Sequence, residues 1–396
     1  MLESWSVVIN VLLVAWSVRT LIILQLAFRN RTGDIKYSKG EPTTATRSDE
    51  APLVSIIIPA FNEAASISKT VLSCLQSMDA NKELIVVDDG STDGTRAVAF
   101  SLQRQHPEHR IQVITSDRNQ GKANALNLGL NRASGDIIVT VDADTQFEST
   151  DTLTALVQPL ITQPEIAATT ANLKIANPTT MLGTFQAIEY AKIIQTLKRA
   201  QSQTHAILIL PGALSAFRHH LLRAIGGFSK ATLAEDADAT MALLKQGHHS
   251  CLQTRACGFT TVPTSVAGFI KQRIRWRVGQ WQCLWKHRAL ARHSWATGFF
   301  YLDVVATNGI TAATPAFVVI SLWQIIHAGD GQSCIWALSG FVATDILVTT
   351  ATAQLDRTFR PSPKHYANSL LFFVAINPVI TWLCLIKFFT QRPIHW

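Results

Sequence analysis

The sequence predicts an α/β domain with a mostly parallel sheet covered by helices, held between membrane-crossing segments. Three observations predict it. Apolar runs of strand length alternate with amphipathic stretches between residues 54 and 141, polar motifs follow three of those runs, and the long apolar stretches lie outside this region. Alternation of this kind builds a parallel sheet with helices on its faces. The 396 residues are 47% hydrophobic and only 16% charged, against about 25% charged in an ordinary soluble domain.

The apolar excess gathers at residues 5–28, 299–326, 334–352 and 369–390, each near the roughly 20 residues that cross a bilayer. The first stretch lacks the short apolar region and small-residue cut site of a signal peptide, and Arg19 interrupts it, so it reads as a retained anchor. Arg29, Arg31, Lys36 and Lys39 follow it, and Arg357, Arg360 and Lys364 precede the last stretch. By the positive-inside bias these loops are cytoplasmic, and the loop 327–333, without Lys or Arg, is external; Arg392 runs against this pattern. The net charge of +8 lies largely beside apolar spans, where anionic lipid headgroups account for it, so nucleic acid is not an expected partner. Six cysteines form no CxxC pair and no zinc spacing, and read as reduced packing residues.

Residues 36–52, rich in Thr, Ser, Lys and Glu without apolar periodicity, read as a linker. Apolar runs at 54–58, 84–87, 111–114 and 137–141 then alternate with amphipathic stretches at 66–78, 92–105 and 123–132. Ligands bind beyond the carboxyl ends of such strands. The motifs PAFNE (59–63), DDGSTDGT (88–95) and DADT (142–145) fall there. Residues 165–295 mix helices with short runs such as 207–210 and read as the acceptor half of the same domain.

Asp88 and Asp89 lead into Gly90, Ser91 and Thr92, a tight turn opening a helix whose free backbone donors suit a nucleotide; a simple helix cap is the plainer reading. Asp142 and Asp144, two apart at a strand end, suit a hard cation, Mg²⁺ or Mn²⁺, with water and substrate phosphate as its other ligands. Alone, a surface pair explains them equally. Asp236, in AEDADAT, suits a general base acting on an acceptor hydroxyl, although carboxylates also simply favour a helix start. One such base suffices where a metal-held diphosphate leaves, whereas glycosidases need two carboxylates flanking the bond. In QRIRW (272–276), within a basic, aromatic stretch at 269–285, Arg275 can fork onto phosphate and Trp276 offers a flat face to a sugar. The plainer reading is a helix lying at the membrane surface. His219, His220, His248 and His249 read as surface residues. Asp303, Asn308 and Asp345 fall inside apolar stretches, where polar groups are either functional or hidden at helix contacts.

Spaced aspartates followed by QRIRW resemble the processive inverting branch of the family 2 glycosyltransferases, over residues 54–287. That branch includes cellulose, chitin, hyaluronan and poly-N-acetylglucosamine synthases. GTFQAIEY, PGALSAFR and KQRIRW look closest to the poly-N-acetylglucosamine synthases, with AED here where those usually have TED. The sequence lacks the gating loop and cyclic-dinucleotide domain of bacterial cellulose synthases. The resemblance implies a GT-A fold. It assigns Glu63, Asp88, Asp89, Lys122 and Asp142 to a UDP-sugar, with the two aspartates of DDGST at the uridine. Asp142 and Asp144 would take the metal, Asp236 would be the base, and Glu235, Gln272, Arg275 and Trp276 would line the acceptor and diphosphate site.

The implied organisation is an anchor over 1–30, a linker over 31–52, a GT-A catalytic domain over 53–265, interfacial amphipathic helices over 266–295 and a transmembrane region over 296–396. The expected protein is a multi-pass plasma (inner) membrane enzyme with a cytoplasmic catalytic domain. It would extend a β-linked polysaccharide of the biofilm type from UDP-N-acetylglucosamine and move it across the membrane, with lipids, the growing chain and an accessory membrane subunit as partners. Three alternatives stay open: transfer of one sugar to a lipid acceptor, as by ceramide glucosyltransferase; a synthase of the hyaluronan, chitin or cellulose type; and a non-catalytic export subunit.

Overall fold

The computed structural model describes residues 2–39, 52–77, 81–327 and 331–390. It opens with helix α1 (Leu2–Lys39), which runs past the residue 30 expected to end the anchor; residues 40–51 of the expected linker lie outside the described residues. Strands and helices then alternate as β1 (Val54–Ala60), α2 (Ile67–Leu75), β2 (Lys82–Asp88), α3 (Thr95–Gln105), β3 (Ile111–Thr115), α4 (Lys122–Arg132) and β4 (Ile137–Val141). After β5 (Thr145–Phe147), α5 (Thr152–Thr162) and β6 (Ile166–Ile175), helix α6 (Met181–Lys192) passes through a π-helical turn (Ile193–Lys198) into α7 (Arg199–Gln203). β7 (Leu214–Arg218), α8 (His219–Ala224), α9 (Glu235–Lys245), β8 (His249–Thr260) and α10 (Val266–Lys286) complete the domain.

Among the described residues eight strands form one sheet in the order β3-β2-β1-β4-β7-β6-β8-β5. The first four are parallel, whereas β7 lies antiparallel to both β4 and β6, so the sheet is mixed. β1, β2 and β4 read as unbroken apolar runs because helices cover both faces. Ile56, Ile57, Ile58, Leu84, Ile85 and Ile138 are fully buried there. The apolar run 207–210 is not a strand. Its Leu210 N–H goes to Thr240 Oγ1 at 3.1 Å rather than to a ladder, and Pro211 follows, so the segment threads between β7 and α9.

Beyond α10 come a 3₁₀ turn (Arg288–Arg292), α11 (Trp295–His327), α12 (Gly331–Leu355), α13 (Pro363–Leu371), a second π-helical turn (Phe372–Ile376) and α14 (Asn377–Thr390). Among the described residues three stretches are helical, long and apolar enough to cross a membrane: Val11–Asn30, Trp295–Ile320 and Pro363–Thr390. The expected crossing at 334–352 lies within α12. Arg19 and Asp303, the polar residues of two apolar stretches, satisfy each other through two bonds of 2.6 and 2.9 Å. Asp345 of α12 takes 2.6 Å from the ammonium of Lys192, which also donates to Ser369 at 2.7 Å. Asn308 donates to Val304 O at 2.8 Å within its own helix. These contacts hide the polar groups that a bilayer would penalise.

Candidate active site

The site lies at the carboxyl ends of β1, β2 and β4, where the loops meet the start of α9 and the middle of α10. The loop after β1 turns at Asn62, whose φ of 57° is left-handed. DDGSTDGT is knitted to it: Asn62 N–H donates to Ser91 Oγ at 2.9 Å, and Thr92 N–H to Asn62 Oδ1 at 2.9 Å. Glu63 N–H donates to Thr95 Oγ1 at 2.7 Å, and Ala64 N–H to Asp93 Oδ2 at 3.1 Å. Gly90 has φ 73°, and a Cβ there would stand 2.4 Å from the carbonyl carbon of Arg118. Only glycine allows that approach of two backbones.

The two aspartates of this motif part company. Asp88 is wholly buried, accepting from Arg96 Nε at 3.0 Å and from Ser91 N–H at 3.3 Å, so it braces the loop from behind. Asp89 is 3% exposed and accepts from the Gln120 N–H at 3.1 Å and the Gly121 N–H at 2.7 Å. Burial pushes its carboxyl up, against those two hydrogen bonds. Asp89 thereby fixes the entry to α4, whose first residue is Lys122.

Lys122 joins the motifs. Its ammonium pairs with Asp142 and stands 3.8 Å from Glu235. Burial works against the charged ammonium, but Asp142 and Glu235 more than offset it and raise its pKa. Glu235, 4% exposed, is pushed up by burial and by Asp236, with Lys122 and Arg275 pulling the other way. Arg275 of QRIRW thus faces Lys122 and Glu235 electrostatically. Asp236 stands half-buried beside them. It accepts from Gly212 N–H and from Ala237 N–H, each at 2.8 Å, and a Cβ on Gly212 would lie 3.4 Å from both Asp236 Oδ2 and Lys122 Nζ.

Asp142 and Asp144 flank the buried Ala143 at the end of β4. Burial, then Asp142, then Glu63 push the Asp144 carboxyl up to about 7. Glu63 is likewise raised, first by burial. Among the described residues no group of three or more His, Cys, Asp or Glu side chains stands ready for a metal. A hard divalent cation on two carboxylates, completed by water and phosphate oxygens, needs no such group. Burial, with the negative charge of Asp142 and Glu63, raises Asp144, and a cation relieves that crowding of carboxylates, so the donor set fits one.

QRIRW divides between support and site. Arg273, which sequence reasoning left aside, is 6% exposed, lies 4.8 Å from the Phe269 ring and 4.4 Å from the Trp276 ring, and pairs with Glu189 at 2.5 Å. Gln272 and Trp276 are half-buried, and Trp276 packs at 6.2 Å, tilted, on Tyr190. Burial raises the pKa of the Tyr190 phenol, with the charges of Glu189, Asp144 and Asp142 adding to it and Arg273 opposing it. Tyr190 was also missed. Nothing but its place in GTFQAIEY, a motif without assigned chemistry, could have found it.

A cavity of about 680 Å³ lies at the opposite end of the strands, by the start of β4 and the end of β7, lined by Gly135, Arg218 and Arg223 among others. Its arginines are engaged with main-chain carbonyls, Arg218 with Ile166 and Gln163 and Arg223 with Leu130. Of the histidines, His219 bonds the Gly135 carbonyl at 2.7 Å and His249 stacks on His205 at 4.9 Å, so these two are packed rather than loose on the surface.

The model of glycosyl transferase family 2 matches residues 55–226. Poly-beta-1,6-N-acetyl-D-glucosamine synthase of Staphylococcus epidermidis is 31% identical over 342 residues, 83% of this chain and 80% of that protein. The enzyme of the same name from Staphylococcus aureus (strain COL) is 29% identical over 248 residues, 63% of this chain and 59% of that one. Among solved structures, the mannosyltransferase of Pyrobaculum calidifontis, in complex with GDP-Man and Mn²⁺, shares the fold with a TM-score of 0.61 at 20% identity, covering 99% of this chain and 100% of its own.

Proposed function

The chain belongs to glycosyl transferase family 2, and from that premise we propose that it is a membrane-embedded, inverting polysaccharide synthase that extends a β-linked polymer of N-acetylglucosamine from UDP-N-acetylglucosamine. It is a glycosyltransferase of GT-A fold. One observation carries the reading: Lys122 draws Asp142 and Glu235 together with Asp236 beside them, so motifs more than 90 residues apart in sequence meet in one site.

In this reading Asp236 is the general base. Its carboxylate, oriented by the Gly212 and Ala237 N–H groups, takes the proton from the acceptor hydroxyl as that oxygen attacks the anomeric carbon. The bond from that carbon to the diphosphate breaks with its electron pair leaving on UDP, which inverts the configuration. Lys122 and Arg275 face the developing diphosphate charge. Asp142 and Asp144 would hold Mg²⁺ or Mn²⁺, which supplies further neutralisation of the leaving group. Glu63 adds negative charge next to that pair. Asp89 orders the loop at the nucleotide, with Asp88 bracing it. Trp276 and Gln272 line the acceptor side.

The relatives named poly-beta-1,6-N-acetyl-D-glucosamine synthases support the donor and the polymer. The three apolar helical stretches and the basic residues beside them support a multi-pass protein with the catalytic domain in the cytoplasm and passage of the chain through the membrane. Purified protein incubated with a panel of UDP-sugars and Mn²⁺ tests the donor. UDP release with UDP-N-acetylglucosamine alone is the expected result, and release with no donor would overturn the reading.

A further inference from the structure

We propose that Lys198, a residue of the π-helical turn rather than of any catalytic motif, is a positioning residue that holds Asp236 in its working geometry. The inference rests on the reading of Asp236 as general base. Lys198 ends the turn Ile193–Lys198 and is 7% exposed. A buried lysine is costly unless its charge is engaged. Its ammonium donates to the carbonyl of Ile209, in the middle of the buried segment that leads to the base.

That segment reaches the base twice. Leu210 N–H donates to Thr240 Oγ1 at 3.1 Å, and Thr240 Oγ1 donates in turn to the Asp236 carbonyl at 2.7 Å. Gly212 N–H donates to Asp236 Oδ2 at 2.8 Å. On the segment's far side the Ala213 carbonyl accepts from Asp142 N–H at 3.1 Å. The peptide plane between Ile209 and Leu210 therefore has its carbonyl on Lys198 and its N–H on α9. Releasing that plane from Lys198 loosens the short segment that presents the Gly212 N–H to the carboxylate. The charge matters as well as the bond: burial pulls Lys198 down to about 8, and Asp236 is the group that supports its charged form. The π-helical turn, common at functional sites, supplies the lysine.

Asp236 faces Glu235 on its own helix, Lys122 from α4, Lys198 from the π-helical turn and Cys283 from α10. Lys198 is thus a cation beside Asp236 that, unlike Lys122, does not pair with Asp142. Removing it displaces the carboxylate and withdraws a positive charge from it.

The test compares Lys198→Met, Lys198→Arg and Asp236→Asn in detergent-purified full-length protein, reading kcat and KM for sugar transfer from UDP-N-acetylglucosamine between pH 5 and 9. Lys198→Met is expected to lower kcat about tenfold to hundredfold, to leave the donor KM within about twofold, and to move the acidic limb of the kcat profile to higher pH. Lys198→Arg keeps the charge and is expected to leave that limb in place; it is the deciding variant where Lys198→Met does not fold. A wild-type kcat and limb in Lys198→Met, or a shifted limb in Lys198→Arg, overturns the role of Lys198 while a dead Asp236→Asn keeps the base. Full transfer by Asp236→Asn overturns both.

Discussion

The ammonium of Lys122 pairs with the carboxylate of Asp142, tying the first turn of α4 to the end of β4. This pair organises the site, because the same ammonium stands 3.8 Å from Glu235, next to Asp236, the proposed base. Lys122→Met takes the shared cation from two carboxylates, one of them the buried Glu235. We expect about a hundredfold or greater loss of kcat/KM, read as UDP release. Activity within threefold of wild type would remove Lys122 from the site.

Glycine at 279 is a steric requirement of the same assembly. A Cβ there would meet Ala234 Cβ and N at 2.8 Å, and Ala234 directly precedes Glu235 and Asp236. Gly279→Ala must push α10 away from the start of α9. The expected outcome is protein that still purifies, with transfer reduced about tenfold or more, as misplacement of reacting groups produces. Undiminished transfer would show that this contact does not set the site.

Asp238 supplies a pH-dependent brace. Its carboxylate, 2% exposed, accepts from His287 at 2.5 Å and Lys286 at 2.6 Å, tying α9 to the end of α10. It is held down to about 2 from 3.8, burial being outweighed by those two bonds. A depressed carboxylate stabilises the fold above its unfolded value and loses that contribution as pH falls through the folded one. The stabilisation is about 2 kcal/mol, complete above about pH 4 and lost towards pH 2. Asp238→Asn should lower the melting temperature by a nearly constant amount from pH 5 to 8. A difference that vanishes at pH 7 would contradict the brace.

Asp144 carries the opposite sign. Its carboxyl, raised to about 7 by burial and by Asp142 and Glu63, favours the unliganded fold at low pH and loses that contribution as pH rises through about 7. A divalent cation competes with the proton held there. The Mn²⁺ concentration giving half-maximal transfer should therefore rise about tenfold from pH 8 to pH 6, and chelation should stop transfer reversibly. An identical Mn²⁺ requirement at both pH values would take the cation away from this pair.

Much of this was legible in the residues. The apolar runs of β1, β2 and β4 and the polar motifs at their ends located the end of the sheet where the candidate site residues gather, because strand period and motif placement are local properties. The antiparallel β7 was not legible, since pairing direction depends on a partner distant in sequence. Asp88 and Asp89, identical in sequence, differ because Arg96 lies behind one and the Gln120 and Gly121 amides before the other. Arg273, within QRIRW but without an assigned role, is enclosed by Phe269, Trp276 and Glu189. Lys198 lies in no motif and Tyr190 in one without assigned chemistry, and only the fold brings them beside the candidate site residues.

The size of the product tests the central claim most directly. Wild-type protein purified in detergent, given radiolabelled UDP-N-acetylglucosamine and Mn²⁺, should release UDP and yield a labelled polymer that elutes as a long chain, while Asp236→Asn yields none. A labelled product no larger than a single sugar on a lipid, or polymer made equally by Asp236→Asn, would contradict the account.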